Sequence, residues 1–327
     1  MKSMKKMVLV GLVLLASVMV LVGCKMEAED AKVYTFPAAV KVLTDYESPN
    51  NTGSEWTYVE FGEWPQSEAD ISGVDLEEVE GGRGYFKDNY YKDDNDNYYV
   101  KQGDKYYKVE PIVWRVLTKD YKVPGENGEL QSTGRALLLA ENILTGGREW
   151  DDNKNNYMES NIRKWLNGNS GSEEVSDYNG DAGFLQTAFT EIAGNFIASI
   201  TVDNSAQSTS DATGILAQDT NNACKNTKDK IFLLSEQEAT MLDYGFAEYN
   251  ASGQGNTRIR VTTDYAEATG ASQSSRENYG GWWWLRSPVP FSEAVARGIR
   301  DDGYASDGNP VLNANGGVVP ALSISLQ

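Results

Sequence analysis

The residues best equipped for chemistry stand at 280–288, Gly-Gly-Trp-Trp-Trp-Leu-Arg-Ser-Pro. Three consecutive tryptophans, with Arg286 two residues on, could stack on sugar rings or pair with an anion. In a strand Trp282 and Trp284 face one way and Trp283 the other, and a buried strand that anchors the core is the preferred reading of these residues. Asp93, Asn95 and Asn97 open the spacing of a calcium loop, but its sixth position is Tyr98 instead of glycine and its twelfth is Asp104 instead of glutamate. A hairpin turn between tyrosine-rich strands accounts for these residues, and no metal and no cofactor are expected. Gly81-Gly82-Arg83-Gly84 lacks the lysine and following helix of a phosphate loop and reads as a turn.

The absence of histidine removes Ser-His-Asp and Cys-His catalysis, imidazole metal ligands and imidazole pH switches. A formal charge of −19, from 48 acidic against 29 basic residues, argues against nucleic acid as a partner. Carboxylate pairs for glycoside hydrolysis are numerous, but no motif promotes one pair over the rest. The second cysteine, Cys224, has no histidine to activate it and reads as an inert thiol. No enzyme is expected. The alternative kept beside this reading is a surface-anchored carbohydrate-active enzyme that uses a carboxylate pair, with Trp282 for sugar stacking. A structural protein of the cell envelope is a third.

Lys2, Lys5 and Lys6 precede the apolar run Met7 to Val22. That run reaches about 24 Å as a helix, short of a hydrocarbon core of about 30 Å, and so reads as a signal segment. It ends in Leu21-Val22-Gly23-Cys24, which resembles the lipobox of bacterial lipoproteins. That resemblance implies cleavage before Cys24, lipidation of Cys24, and a mature charge of −22. The expected location is the outer membrane or cell surface, anchored through the lipid. Residues 24–54 read as an acidic flexible tether ending in the turn-rich run Ser48 to Ser54.

The rest must position any site. Trp56 to Phe61 alternates bulky and polar residues, and Tyr85-Phe86, Tyr90-Tyr91, Tyr98 to Val100 and Tyr106-Tyr107 sit between polar turns, as successive hairpins do. Pro111 to Leu117 and Arg135 to Ala140 are more continuously apolar, the pattern of strands covered on both faces. Lys230 to Leu234 reads as another strand. Met158, Ile162, Trp165 and Leu166 recur at helical spacing, with Asn167-Gly168 as the stop. Ser235-Glu236-Gln237-Glu238 has the capping-box pattern and opens a short helix through Met241-Leu242. A third helix covers Phe184 to Ile192. The polar inserts Gly168 to Gly183 and Thr201 to Asp229 read as surface loops. The sum is one α+β domain over 55–327, loop-rich with short helices.

Phe61-Gly62-Glu63-Trp64-Pro65-Gln66, Val113-Trp114-Arg115-Val116-Leu117, Ile162-Arg163-Lys164-Trp165-Leu166-Asn167, Phe232-Leu233-Leu234-Ser235, Thr263-Asp264-Tyr265-Ala266, Trp283-Trp284-Leu285-Arg286-Ser287-Pro288 and Gly317-Val318-Val319-Pro320-Ala321-Leu322 succeed one another along the chain. In that order the series resembles a family of bacterial, often spirochaetal, lipoproteins that includes the variable proteins of diversity-generating retroelements. The resemblance implies a C-type-lectin fold of the formylglycine-generating-enzyme type. It also implies a receptor or adhesin whose C-terminal segment, about 282–315, is rewritten by adenine mutagenesis to bind an unknown protein or glycan at the cell surface. The cysteines on which the enzyme branch of that fold depends are missing here.

Mutagenesis of an Asn codon at its two adenines reaches fifteen residue types and never Trp, Lys, Glu, Gln or Met. These five make up about a fifth of the chain, yet Val289 to Asn315 holds only Glu293 among them. On the resemblance, the contact residues are Val289, Phe291, Ser292, Arg297, Arg300, Asp301, Tyr304, Ser306, Asp307, Asn309, Leu312, Asn313 and Asn315. Phe291, Arg297, Arg300 and Tyr304 would be the affinity anchors, since aromatics and arginine dominate interface energetics. Trp283, Leu285, Pro288, Val318, Pro320 and Leu322 would form an inward-packed frame.

Overall fold

A computed structural model describes residues 36–37, 39–50, 56–168, 182–206, 208–209, 224–305 and 307–326. The signal segment and Cys24 lie outside the described residues, as do the interiors of the two polar inserts and Ser306. The described residues belong to one compact unit that spans Tyr34–Gln327. It is an α+β fold, mostly sheet, with short helices and long loops. No described helix is long and apolar enough to cross a membrane.

The main sheet is antiparallel and is built around one long strand. Its members are β1 (Lys41–Leu43), β2 (Tyr58–Glu68), β3 (Glu77–Glu78), β4 (Tyr90–Lys92), β5 (Tyr98–Gln102), β6 (Lys105–Thr118), β9 (Arg135–Ala140), β12 (Ile231–Phe232) and β16 (Ala321–Ser325). β6 serves two neighbours in turn. Its first half pairs β5 and its second half pairs β9, while β2 runs along its other edge. The turn between β4 and β5 is the Asp93 loop. Asp93 Oδ1 accepts from the Asn95 and Asn97 N–H groups, each at 2.9 Å, and Oδ2 accepts from the Asn97 amide and the Tyr99 hydroxyl. The Asn97 bond in particular holds its carboxyl down at about 2. A hairpin turn uses this carboxylate.

Two further antiparallel pairs stand as separate two-stranded sheets: the β7 (Lys122–Pro124) and β8 (Leu130–Ser132) hairpin, and β10 (Ile200–Val202) with β11 (Thr227–Asp229). A second sheet of three strands, β13 (Trp283–Pro288), β14 (Val295–Ile299) and β15 (Asp307–Pro310), carries the C-terminal segment. The helices are α1 (Asn161–Asn167), α2 (Phe184–Ala188), α3 (Glu191–Gly194) and α4 (Asp264–Ala268).

Several expectations change in detail. The segment expected to be a flexible tether up to residue 54 is folded where it is described. Lys41 to Leu43 pair with β2, and Asn50 is buried, donating to Glu141 and accepting from the Val261 N–H. Tyr85-Phe86 is a turn closed between Arg83 and Phe86, not a strand. The helix expected from Met158 to Leu166 restarts at Ser160, whose extended backbone and hydroxyl cap the N-terminus of α1. The third helix breaks at Phe189, and Thr190 caps α3. The insert expected to be all surface loop opens and closes with β10 and β11, where Val202 and Asp229 are buried.

The core is threaded by charge. Arg115, Arg163 and Arg286 are fully buried. Arg115 grips Glu141 with two bonds of 2.7 and 2.8 Å, and Arg163 holds Asp229 at 2.8 Å. Arg286 donates to Glu238, to the Leu233 carbonyl at 2.8 Å and to the Asp203 carbonyl at 3.1 Å. Each of these arginines joins segments far apart in the chain.

Candidate ligand-binding surface

The capping box at Ser235 forms as the sequence suggests. Glu238 Oε2 accepts from the Ser235 N–H at 2.8 Å, and Ser235 Oγ accepts from the Glu238 N–H at 3.1 Å. The box opens two short 3-10 turns, Glu238–Thr240 and Leu242–Tyr244, rather than an α-helix. Glu238 also receives the Tyr121 hydroxyl at 2.6 Å and Arg286. Burial is the strongest single push, upward, but the Arg286 charge and the hydrogen bonds from Arg286, Tyr121 and the Ser235 N–H together hold the carboxyl below its ordinary value. The segment is therefore pinned against β13, with the Arg286 N–H bonded to the Leu234 carbonyl and Ser287 Oγ accepting from the Glu236 N–H.

β13 supplies the floor of the second sheet. Trp283, Trp284 and Leu285 are fully buried, and Pro288, Val318, Pro320 and Leu322 are buried. The frame expected to face inward does so. Trp282, partly buried, sets its ring edge-on to Trp284 at 4.7 Å.

Three loops leave this sheet, at two ends. At the Val295 end, residues 289–294 make the β13–β14 connection. Their backbone is clamped from outside the segment. The Asn155 amide donates to the Ser292 and Val295 carbonyls at 2.6 and 2.7 Å, and its N–H donates to the Glu293 carbonyl at 2.8 Å. Within the loop the Val289 N–H reaches the Val295 carbonyl at 2.9 Å. At the tip Phe291 is 82% exposed and adopts φ +59°, a left-handed conformation that bulky side chains rarely take. Leu312, 56% exposed, comes to the same end, because the preceding Val311 N–H bonds to the Ala294 carbonyl.

At the Ile299 end, residues 300–305 turn back toward β15. Gly303 takes φ +78°, and a Cβ there would run into the Asn256 side chain. Its carbonyl accepts from buried Arg258 at 2.7 Å. Arg300 is exposed, bonded to Asp302 at 2.5 Å and set 5.2 Å from the ring centre of half-buried Tyr304. Asp301 pairs with Arg276 at 2.7 Å. A five-residue strand at about 3.4 Å per residue puts the two ends roughly 14 Å apart.

The remaining candidates fall between these ends or in the last loop. Asn309 lies on β15 opposite Ala296, and Asp307 stands opposite Gly298. Asn313 Oδ1 accepts from the Asn315 N–H at 2.9 Å, and the Asn315 carbonyl accepts from Ser272, so these two residues build a turn with Asn315 exposed. Val289 and Ser292 are half-buried. Arg297 departs from the expectation of an exposed anchor. Its side chain is 13% exposed and its Nε lies 3.1 Å from Glu236, which is fully buried.

Asn155, Glu236, Arg258 and Arg276 carry this surface, and sequence reasoning named none of them for it. Asn155 lies far upstream of the loop it clamps, and no spacing rule links the two. Arg258 and Arg260 sit in a polar-looking stretch, yet both are buried. Burial drives them down to about 10 and about 9 respectively, with Arg115 adding repulsion at Arg260.

The fold and surface together define an α+β domain braced by buried arginine–carboxylate pairs, with a small loop-bearing sheet at its C-terminal end. Residues 133–326 match the family model described as a domain of unknown function, DUF6273, and the chain belongs to that family. No curated protein and no solved structure matches it.

Proposed function

We propose that this chain is a lipid-anchored bacterial surface receptor that binds a protein or glycan through the loops of its second sheet, without catalysis. In this reading Cys24 carries the lipid, the outer membrane or cell surface is the location, and the fold is the C-type-lectin fold of the formylglycine-generating-enzyme type. The motif series most resembles treponemal variable protein A, a product of a diversity-generating retroelement. The observation that carries the proposal is the 289–294 loop. Its backbone is held by Asn155 from outside, while its tip offers a bulky aromatic to solvent. A scaffold that fixes the path of a loop through its backbone can hold an exposed side chain at the tip for contact with a ligand, as in a paratope.

Phe291 with Leu312 at one end and Arg300 with Tyr304 at the other supply apolar and cationic anchors. A separation of roughly 14 Å fits inside one standard interface of about 800 Å2 per partner. The carbohydrate-hydrolase reading draws less support, because the buried carboxylates Glu141, Asp229 and Glu238 are each engaged by an arginine.

Sequencing the locus in several isolates tests the proposal without knowledge of the ligand. The expected result is variation concentrated at Phe291, Arg300, Tyr304 and Leu312, with constant codons for Glu293, Gly303 and the buried frame. A second copy of 289–315 carrying AAC or AAT at the varying positions, near a reverse transcriptase, is expected alongside. Absence of such a template, with variation scattered evenly over the chain, would remove the receptor reading.

A further inference from the structure

A partly open pocket of about 160 Å3 lies between the β7–β8 hairpin and the segment Gln237 to Tyr244, and none of its described walls belongs to 289–315. At about 30 Å3 per water molecule, it has room for roughly five waters or a ligand of similar heavy-atom count. Tyr121 and Tyr244 line it, with Met241, Pro124 and Leu130 adding apolar residues.

Its charges decide what fits. Glu238 at the inner wall is already balanced from behind by Arg286. Among the described residues, Asp120, Asp203 and Asp243 also line the pocket, against Lys122 as the one cation. Asp120 Oδ1 accepts from the Ser132 hydroxyl at 2.6 Å and the Gly134 N–H at 3.0 Å, and Asp203 Oδ1 accepts from the Ser205 N–H at 3.0 Å. These neutral donors fix the carboxylates in place without cancelling their charge. An anion is thus repelled. A metal ion is not served either, because among the described residues no three acidic or cysteine side chains converge to hold one.

A negative rim over aromatic and aliphatic walls matches an organic cation. The charge faces the carboxylates, the ammonium C–H and N–H groups meet the ring faces, and the alkyl body covers Met241 and Leu130. We propose that this pocket binds a small alkylammonium ligand, a primary amine on a short hydrocarbon chain. The site is independent of the receptor reading, and neither stands or falls with the other.

Calorimetric titration of the purified full-length chain at low salt with n-butylammonium and, separately, with n-butanol compares two ligands of one size that differ in charge. The expected result is saturable n-butylammonium binding with Kd on the order of 1 mM, and at least about tenfold weaker n-butanol. Asp243→Asn, at an exposed position, is expected to weaken the amine about fivefold with an unchanged melting temperature. Met241→Trp, which fills the pocket from a half-buried position, is expected to abolish binding. Equal affinity for the alcohol, no saturable heat from the amine, or undiminished binding in a folded Met241→Trp chain would each overturn the proposal.

Discussion

Arg286 and Arg300 stand close together in the chain and in opposite situations. Arg286 is fully buried and bonded to Glu238, Leu233 and Asp203, which come from two other regions of the sequence. Arg300 is exposed, and the Asp302 and Tyr304 that hold it sit in its own turn. The first arginine ties the fold together across distance. The second decorates a turn whose path is set by Gly303 and by Arg258 from outside. The contrast repeats at Phe291, whose backbone is clamped by Asn155 while its ring faces solvent. Where the backbone's support comes from elsewhere, the side chain can stand exposed.

The sharpest way to break this comparison is to treat both arginines alike. Arg286→Met leaves the Glu238 carboxylate buried without its cation, and the expected loss is about 3–5 kcal/mol in urea unfolding. Arg300→Met is expected to cost about 1 kcal/mol, since the exposed arginine leaves a partly solvated pair with Asp302. Comparable losses from the two would erase the distinction.

Acid sharpens it further. The arginines hold the Glu141 and Glu238 carboxyls below their ordinary value against the opposing push of burial. A depressed carboxyl contributes stability that is present above its unfolded value, about 4.3, and is lost as the pH falls through its folded value. Unfolding midpoints measured downward from pH 5 should therefore fall steeply. Arg286→Met should flatten the part of that slope that belongs to Glu238. An unchanged slope in the variant would mean that the pair does not set the acid limb.

Arg297 is the intermediate case. It lies in the segment expected to bind ligand, yet its guanidinium faces buried Glu236. Arg297→Ala is expected to cost about 1–3 kcal/mol, less than Arg286→Met because the side chain keeps some contact with solvent. A change below about 0.5 kcal/mol would return Arg297 to the exchangeable set.

These cases also show what a sequence carries. The strands around Trp114 and Leu138, the hairpins from Tyr90 to Tyr107 and the inward frame from Trp283 to Leu322 were legible, because apolar patterning reports burial directly. The capping box at Ser235 was legible because its partners are local. The carboxylates that hold Arg115 and Arg163 could not be chosen from so many acidic residues, since charge carries no label for distance. The same limit hid Asn155 beneath the 289–294 loop and mistook Arg297 for a surface residue. Tether and domain were separated too late along the chain, because the turn-rich run after Ser48 outweighed Asn50, whose side chain bonds two distant segments.

The smallest expected effect is the most discriminating. Phe291 holds φ +59°, which costs a non-glycine residue about 1–2 kcal/mol, and its ring is largely in water. Asparagine tolerates this conformation far better and, unlike glycine, adds little freedom to the unfolded chain. Phe291→Asn is therefore expected to raise the melting temperature by about 1–2 °C. In the receptor reading it also removes an aromatic anchor, so affinity for the surface ligand should fall while stability rises. Stability and binding then move in opposite directions at one residue, as they do when a side chain is retained for what it touches outside the molecule. A melting temperature several degrees lower would instead place the Phe291 ring in the fold's own packing, and the division between clamped backbone and exchangeable side chain would fail at the position where it is most exposed.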